Sequence, residues 1–134
     1  MKIFIVDSDT AINCRKKLKE HLALNRKVNV WHREDLEFSF IPVDQQISNK
    51  FREADVILYL VTSTIIQSQE YFFNPTPNQK CYNIIVSACM WEYMAEVNTN
   101  TCLHNSKTNF NKATDKDEFI VECIKTLMDN YATQ

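Results

Sequence analysis

A three-layer α/β architecture is what the sequence predicts, with helices on both faces of a central parallel sheet of four or five strands. Three observations carry that prediction. Strand-like and helix-like segments alternate four or five times along 134 residues, the pattern of repeated strand–helix–strand units whose right-handed crossovers yield a parallel sheet covered on both faces. The stretch Val56–Val61 (VILYLV) is strongly apolar with no polar alternation, as a central strand buried on both faces is. A hydroxyl cluster, Thr62, Ser63 and Thr64, follows it directly, where open α/β sheets bind ligands, beyond the carboxyl ends of their strands.

The elements follow in order. Lys2–Asp7 (KIFIVD) reads as the first strand, and Ser8, Asp9 and Thr10 offer side-chain oxygens to cap the helix after it. That helix, from about Ala11 to Leu24, puts Cys14, Leu18, His21 and Leu22 on an apolar face and Arg15, Lys16, Lys19 and Glu20 on the other, which reads as a solvated face. His21 reads as a packed histidine. Lys27–Trp31 is a short second strand, and His32–Asp44 a loop containing Pro42. Val43, Ile47 and Phe51 recur at intervals of four and predict a helix to Glu53. The central strand comes next, then a helix or turn from about Thr64 to Phe73, stopped by Pro75 and Pro77. Tyr82–Ala88 is the fourth strand, Met90–Val97 a short helix, and the Asn/Thr-rich run Asn98–Asn111 a loop with an edge strand near Lys107–Phe110. The last helix is capped by Thr114, has Asp115, Asp117 and Glu118 in its first turn, and carries the stripe Phe119, Ile120, Cys123, Ile124, Leu127, Tyr131. Length and alternation suit one domain over residues 1–134 with the flavodoxin-like strand order 2-1-3-4-5.

Composition excludes several classes. A net charge of −2 offers no polycation for nucleic acid, and the longest apolar run falls far short of the roughly 20 residues a membrane helix needs. The opening MKIFIVDSD places acids directly after a short apolar run, which reads as a strand rather than a signal peptide, so a cytoplasmic protein is expected. Five cysteines, an odd number with no C-x-x-C pair, read as reduced and mostly buried thiols. Cys102-Leu103-His104 could hold a metal or a nucleophile, but no second ligand pair stands near it. No metal and no cofactor is expected. Glycine is absent altogether, against the roughly 7% usual in proteins, which removes every phosphate-binding glycine loop and the nucleophile elbow. Trp31 and Trp91 sit at strand ends, where an indole buries its ring and keeps its N–H within reach of a partner.

Several segments, in order and over nearly the whole chain, resemble bacterial Toll/interleukin-1 receptor (TIR) domains: KIFIVDSD, LKEHLA, VNVWHREDL, FREADVILYLVTSTIIQS, NIIVSACMW and KATDKDEFIVECIKTLM. The resemblance implies a TIR-like fold and a role in signalling or anti-phage immune defence through self-association or contact with another TIR-containing protein. It also implies a pocket lined by Ser8 and Asp9, by His32, Arg33 and Asp35, and by Thr62 and Ser63, where NAD⁺ is the substrate in those relatives that cleave it. Two departures are informative. The loop after the second strand has Phe38-Ser39 where TIR domains carry Pro-Gly, and Phe38, Ser39 and Phe40 then form an assembly loop if exposed, or a buried turn if the rings pack inward as such rings usually do. The catalytic glutamate of NAD⁺-cleaving relatives falls at about Asn74 or Pro75, and neither has a carboxylate. Cleavage needs one to stabilise an oxocarbenium-like centre. Glu70, about a turn earlier, is either a substitute or an ordinary exposed glutamate.

Response-regulator receiver domains offer a second resemblance, with Asp7 and Asp9 as the acidic pair, Ser87 at the hydroxyl position and Lys112 at the lysine. Tyr59 stands near the position of the phospho-acceptor aspartate. The sequence therefore favours a TIR-like assembly module without the usual catalytic glutamate, over a divergent NAD⁺ glycohydrolase using Glu70 and over a pseudo-receiver.

Overall fold

The structure is a computed structural model that describes residues 1–67 and 74–132. Its centre is a five-stranded, all-parallel sheet in the order 2-1-3-4-5. The strands are β1 (Lys2–Val6), β2 (Asn29–Trp31), β3 (Val56–Val61), β4 (Lys80–Ile85) and β5 (Thr101–Cys102); the helices are α1 (Ile12–Leu22), α2 (Val43–Glu53), α3 (Ser63–Gln67), α4 (Ala95–Asn98) and α5 (Lys116–Ala132). This is the flavodoxin-like architecture that the alternating pattern predicts.

Period-two geometry makes β3 the hinge of two cores. Val56, Leu58 and Leu60 join one cluster with Cys14, Leu18 and Leu22 of α1 and Ile120, Cys123 and Leu127 of α5. Ile57, Tyr59 and Val61 join the other with Ile47 and Phe51 of α2, Ile65 of α3 and Val97 of α4. All six residues of β3 are buried, which explains why its sequence shows no polar alternation. Two buried amides close the seams. Gln79 Nε2 donates to the carbonyls of Phe51 (2.6 Å) and Ala54 (3.0 Å), tying the end of α2 to the start of β4, and Asn83 Nδ2 donates to Val97 O (2.7 Å), tying β4 to α4.

Three expectations are corrected. The edge strand is Thr101–Cys102 rather than Lys107–Phe110. The latter segment still touches the sheet, because the N–H groups of Phe110 and Asn111 donate to Ile85 O and Val86 O and Phe110 is buried. Its one apolar residue, Phe110, serves as a plug over the end of β4. Ser8, Asp9 and Thr10 give no side-chain cap to the 3₁₀ turn Asp9–Ala11 or to α1, because the two hydroxyls are engaged elsewhere. The cap of α5 is Asp115, whose Oδ1 accepts the Glu118 N–H at 3.0 Å, rather than Thr114. The helix expected from Thr64 to Phe73 begins at Ser63 and is described to Gln67; residues 68–73 of the expected span lie outside the described residues. No helix among the described residues is long and apolar enough to cross a membrane.

Candidate functional site at the carboxyl edge of the sheet

The carboxyl ends of β1 and β3 bring together most of the polar residues that the sequence singles out. Asp7 and Ser8 leave β1, Thr62 leaves β3, and His32 leaves β2; all four are buried. Their packing is dense with mutual hydrogen bonds. Ser8 Oγ lies 2.6 Å from Thr10 Oγ1 and 3.3 Å from Thr62 Oγ1, and Thr10 Oγ1 donates to Thr62 Oγ1 at 3.2 Å. Thr62 Oγ1 also accepts the Ile65 N–H at 3.4 Å, so it caps α3.

The charged half of the cluster is centred on Asp7. Its Oδ2 accepts from Arg15 at 2.7 Å and its Oδ1 pairs with His32 Nε2. The second nitrogen of the Arg15 fork donates to Glu34 Oε1 at 2.6 Å, and Glu34 is the exposed end of this chain of charges. The histidine tautomer follows from its neighbours. His32 Nδ1 accepts the Glu34 N–H at 3.1 Å, which leaves the ring proton on Nε2, donated to Asp7. The 3.4 Å approach of Arg15 to His32 Nε2 is then a contact between two donors rather than a hydrogen bond. His32 also heads a 3₁₀ turn, Arg33–Asp35, where its own N–H donates to Asp35 Oδ2 at 2.9 Å. Burial opposes ionisation of Asp35, but the Lys19 ammonium at 2.8 Å and the His32 N–H more than offset it, holding the carboxyl below the usual carboxylate range.

Arg15 corrects the reading of α1. It stands at helical spacing i, i+3, i+7 with the buried Leu18 and Leu22, yet its charge suggested a solvated face; it is 1% exposed. The signal that could have found it is Asp7, a carboxylate directly after a strand buried from Ile3 to Val6, which demands a cation nearby. His21 is half-buried and pairs with exposed Asp117 at 3.1 Å rather than packing into the core. Asp9, Arg33 and Ser63 are exposed and stand outside the buried cluster. Glu70, the candidate catalytic carboxylate, lies outside the described residues.

The loop after β2 has the opposite character. Phe38 and Phe40 are more than 100% exposed relative to an extended reference, so inward packing is overturned. The loop is braced from beneath by Gln46 of α2, whose Nε2 donates to Glu37 O (3.1 Å) and Ile41 O (2.9 Å) while its Oε1 accepts the Glu37 N–H at 3.2 Å. Ser39 Oγ accepts the Ile41 N–H at 3.2 Å. Ile41 and Val43 beside it are also exposed.

Two cavities lie past β4, one on each side of the segment 104–112. One of about 490 Å³ is formed with the start of α5 and lined by His104, Thr108 and Phe119 among others. The other, about 360 Å³, opens at the end of β4 and is lined by Ile85, Trp91, Lys107, Asn109 and Lys112 among others. His104 belongs to the sheet rather than to a metal. Its Nε2 accepts the Ile85 N–H at 2.9 Å, a position a strand carbonyl would fill, and burial pulls the ring's pKa below its ordinary value. Burial pushes the neighbouring Cys102 thiol up, which removes its nucleophilic form. No cluster of three or more His, Cys, Asp or Glu among the described residues could hold a metal ion. No protein-family model, no curated protein and no solved structure matches the chain.

Proposed function

We propose that this chain is a divergent TIR-like assembly module that acts in signalling or immune defence by binding a second copy or another TIR-containing protein. The observation that carries this reading is the braced display of Phe38 and Phe40. Two fully exposed rings on a loop tied down by Gln46 hold apolar surface out to solvent at fixed geometry. Removing each ring from water would contribute about 1.5–3 kcal/mol, and Ile41 and Val43 extend the patch. Preorganisation lowers the ordering cost of such a contact.

The buried cluster supports the same reading from the other side. Both ring nitrogens of His32 are engaged, and each Asp7 oxygen accepts from a buried partner, Arg15 or His32. His32 has no free ring nitrogen to act as a general base, and Asp7 is buried, with its charge held by Arg15 and His32. The hydroxyls of Ser8 and Thr62 bond to one another. Asn74 and Pro75, about where the catalytic glutamate of NAD⁺-cleaving relatives falls, are exposed and carry no carboxylate. Tyr59, near the place where a receiver would carry its phospho-acceptor, is buried in the second core. The signalling or defence role itself rests on the resemblance of the ordered segments to TIR domains.

Light scattering coupled to size exclusion tests the proposal. The wild-type chain should show a mass that rises above the monomer with concentration, or a complex with a TIR-containing protein. Phe38→Ser with Phe40→Ser should return it to monomer with an unchanged melting temperature. A chain that stays monomeric and binds no TIR-containing protein sinks the idea. Release of nicotinamide from NAD⁺, scaling with enzyme concentration, would move the reading to a glycohydrolase using Glu70.

A further inference from the structure

We propose that the cavity at the end of β4 binds a small anionic ligand bearing a planar ring, of nucleoside monophosphate class. This site is separate from the buried cluster at β1 and β3 and from the exposed loop after β2.

The cavity has a built wall. Phe110 and Asn111 donate their N–H groups to Ile85 O and Val86 O at 3.0 Å each, which fixes the segment across the strand end. Asn109 immediately precedes this anchor and is 6% exposed. Its Oδ1 accepts the Lys112 N–H at 2.9 Å, and that bond sets the orientation of the carboxamide. The Nδ2 donor is left with no hydrogen-bond partner among the described residues, and the residue lines the cavity. No buried side-chain nitrogen or oxygen among the described residues lacks a partner, so this Nδ2 is open to solvent, and the fixed carboxamide can donate it to a ligand's acceptor.

Charge and shape define that acceptor. Lys107 and Lys112 line the same cavity, and neither ammonium forms an ion pair among the described residues. Ser106 adds a hydroxyl. Two ammoniums, a carboxamide donor and a hydroxyl suit a phosphate or carboxylate, to which lysine binds as a point charge. The half-buried Trp91 lines the cavity as well and offers a face for a flat ring. Glu92 supplies an acceptor for an amino or hydroxyl hydrogen of the ligand. The volume, about 360 Å³, lies near the lower end of the range for small-molecule sites. It suits one nucleotide rather than two.

Titration of the purified chain with AMP at low ionic strength, followed by tryptophan fluorescence and calorimetry, tests the proposal, with inorganic phosphate titrated in parallel. AMP should bind saturably and change the fluorescence of a Trp31→Phe variant, in which Trp91 is the remaining indole. Phosphate alone should bind at least tenfold more weakly. Lys107→Ala with Lys112→Ala should weaken AMP at least tenfold. Asn109→Asp keeps the oxygen that accepts the Lys112 N–H and replaces the donor with a charge, so it should abolish binding while the melting temperature stays close to wild type. No saturable AMP binding, equal affinity for phosphate, or binding indifferent to these substitutions would overturn the proposal. If Asn109→Asp unfolds the chain, the exposed double lysine variant decides alone.

Discussion

Arg15 shows how one side chain can be read wrongly by type and correctly by position. Its guanidinium is buried with Asp7 and reaches Glu34 at the surface. A buried pair gains little over apolar residues of the same volume, but removing one partner leaves the other charged and desolvated. Arg15→Met should therefore destabilise the chain by about 3–5 kcal/mol, read from urea denaturation. Adding Asp7→Asn should recover much of that loss, since the carboxylate that needed the cation is gone; a double variant whose losses simply add would refute the coupling. The residues at the end of β1 were legible in the sequence as a polar cluster. What was not legible is that they satisfy each other, because a sequence names donors and acceptors without pairing them.

The elements were legible where burial was two-sided or strictly periodic. β3 and α5 announce themselves because every position, or every third and fourth, faces a core. The edge was not legible. Thr101–Cys102 is too short to carry a period, and Phe110 imitates a strand residue while plugging the end of β4. Helix ends were the other weak point, and glycine explains why. A chain with no glycine cannot use left-handed glycine caps, and no residue with positive φ occurs among the described residues. Helices end instead in right-handed or extended residues such as Ala23 and Ala54. At the start of α5, the sequence pointed to Thr114 as the cap with Asp115 already in the first turn, but it is the Asp115 oxygen that meets the Glu118 N–H. Asp115→Ala should lower stability by about 1 kcal/mol, while Thr114→Ala should stay within about 0.5 kcal/mol of wild type. The reverse order in denaturation midpoints would move the cap back to Thr114.

At the scale of the whole molecule, the shifted groups predict a flat-topped dependence of stability on pH. On the acid side, His104 is held below its ordinary value of 6.5 by burial, with its bond to the Asn105 carbonyl opposing. Between its folded pKa and 6.5 the unfolded chain binds the extra proton, so stability rises with pH through that window and is complete above it. Protonation also turns Nε2 into a donor facing the Ile85 N–H, which cuts the tie between β4 and the segment after β5. Asp35 and Asp117 are also depressed, below 3.8, so their contribution is lost lower still, as pH falls through their folded values. On the alkaline side all five cysteines are raised above 9.0 by burial, Cys123 to about 12. Above pH 9 the unfolded chain releases thiol protons that the folded chain keeps, so stability now falls as pH rises. Each thiol ionised only in the unfolded chain costs about 1.4 kcal/mol per pH unit. Urea midpoints at constant ionic strength should therefore form a plateau between about pH 6.5 and 9. They should drop on both sides, most steeply above pH 9. Replacing Cys14 and Cys123, which are wholly buried, with alanine lowers the plateau through lost packing but should flatten its alkaline edge. An edge equally steep without those two thiols would show that other groups set it.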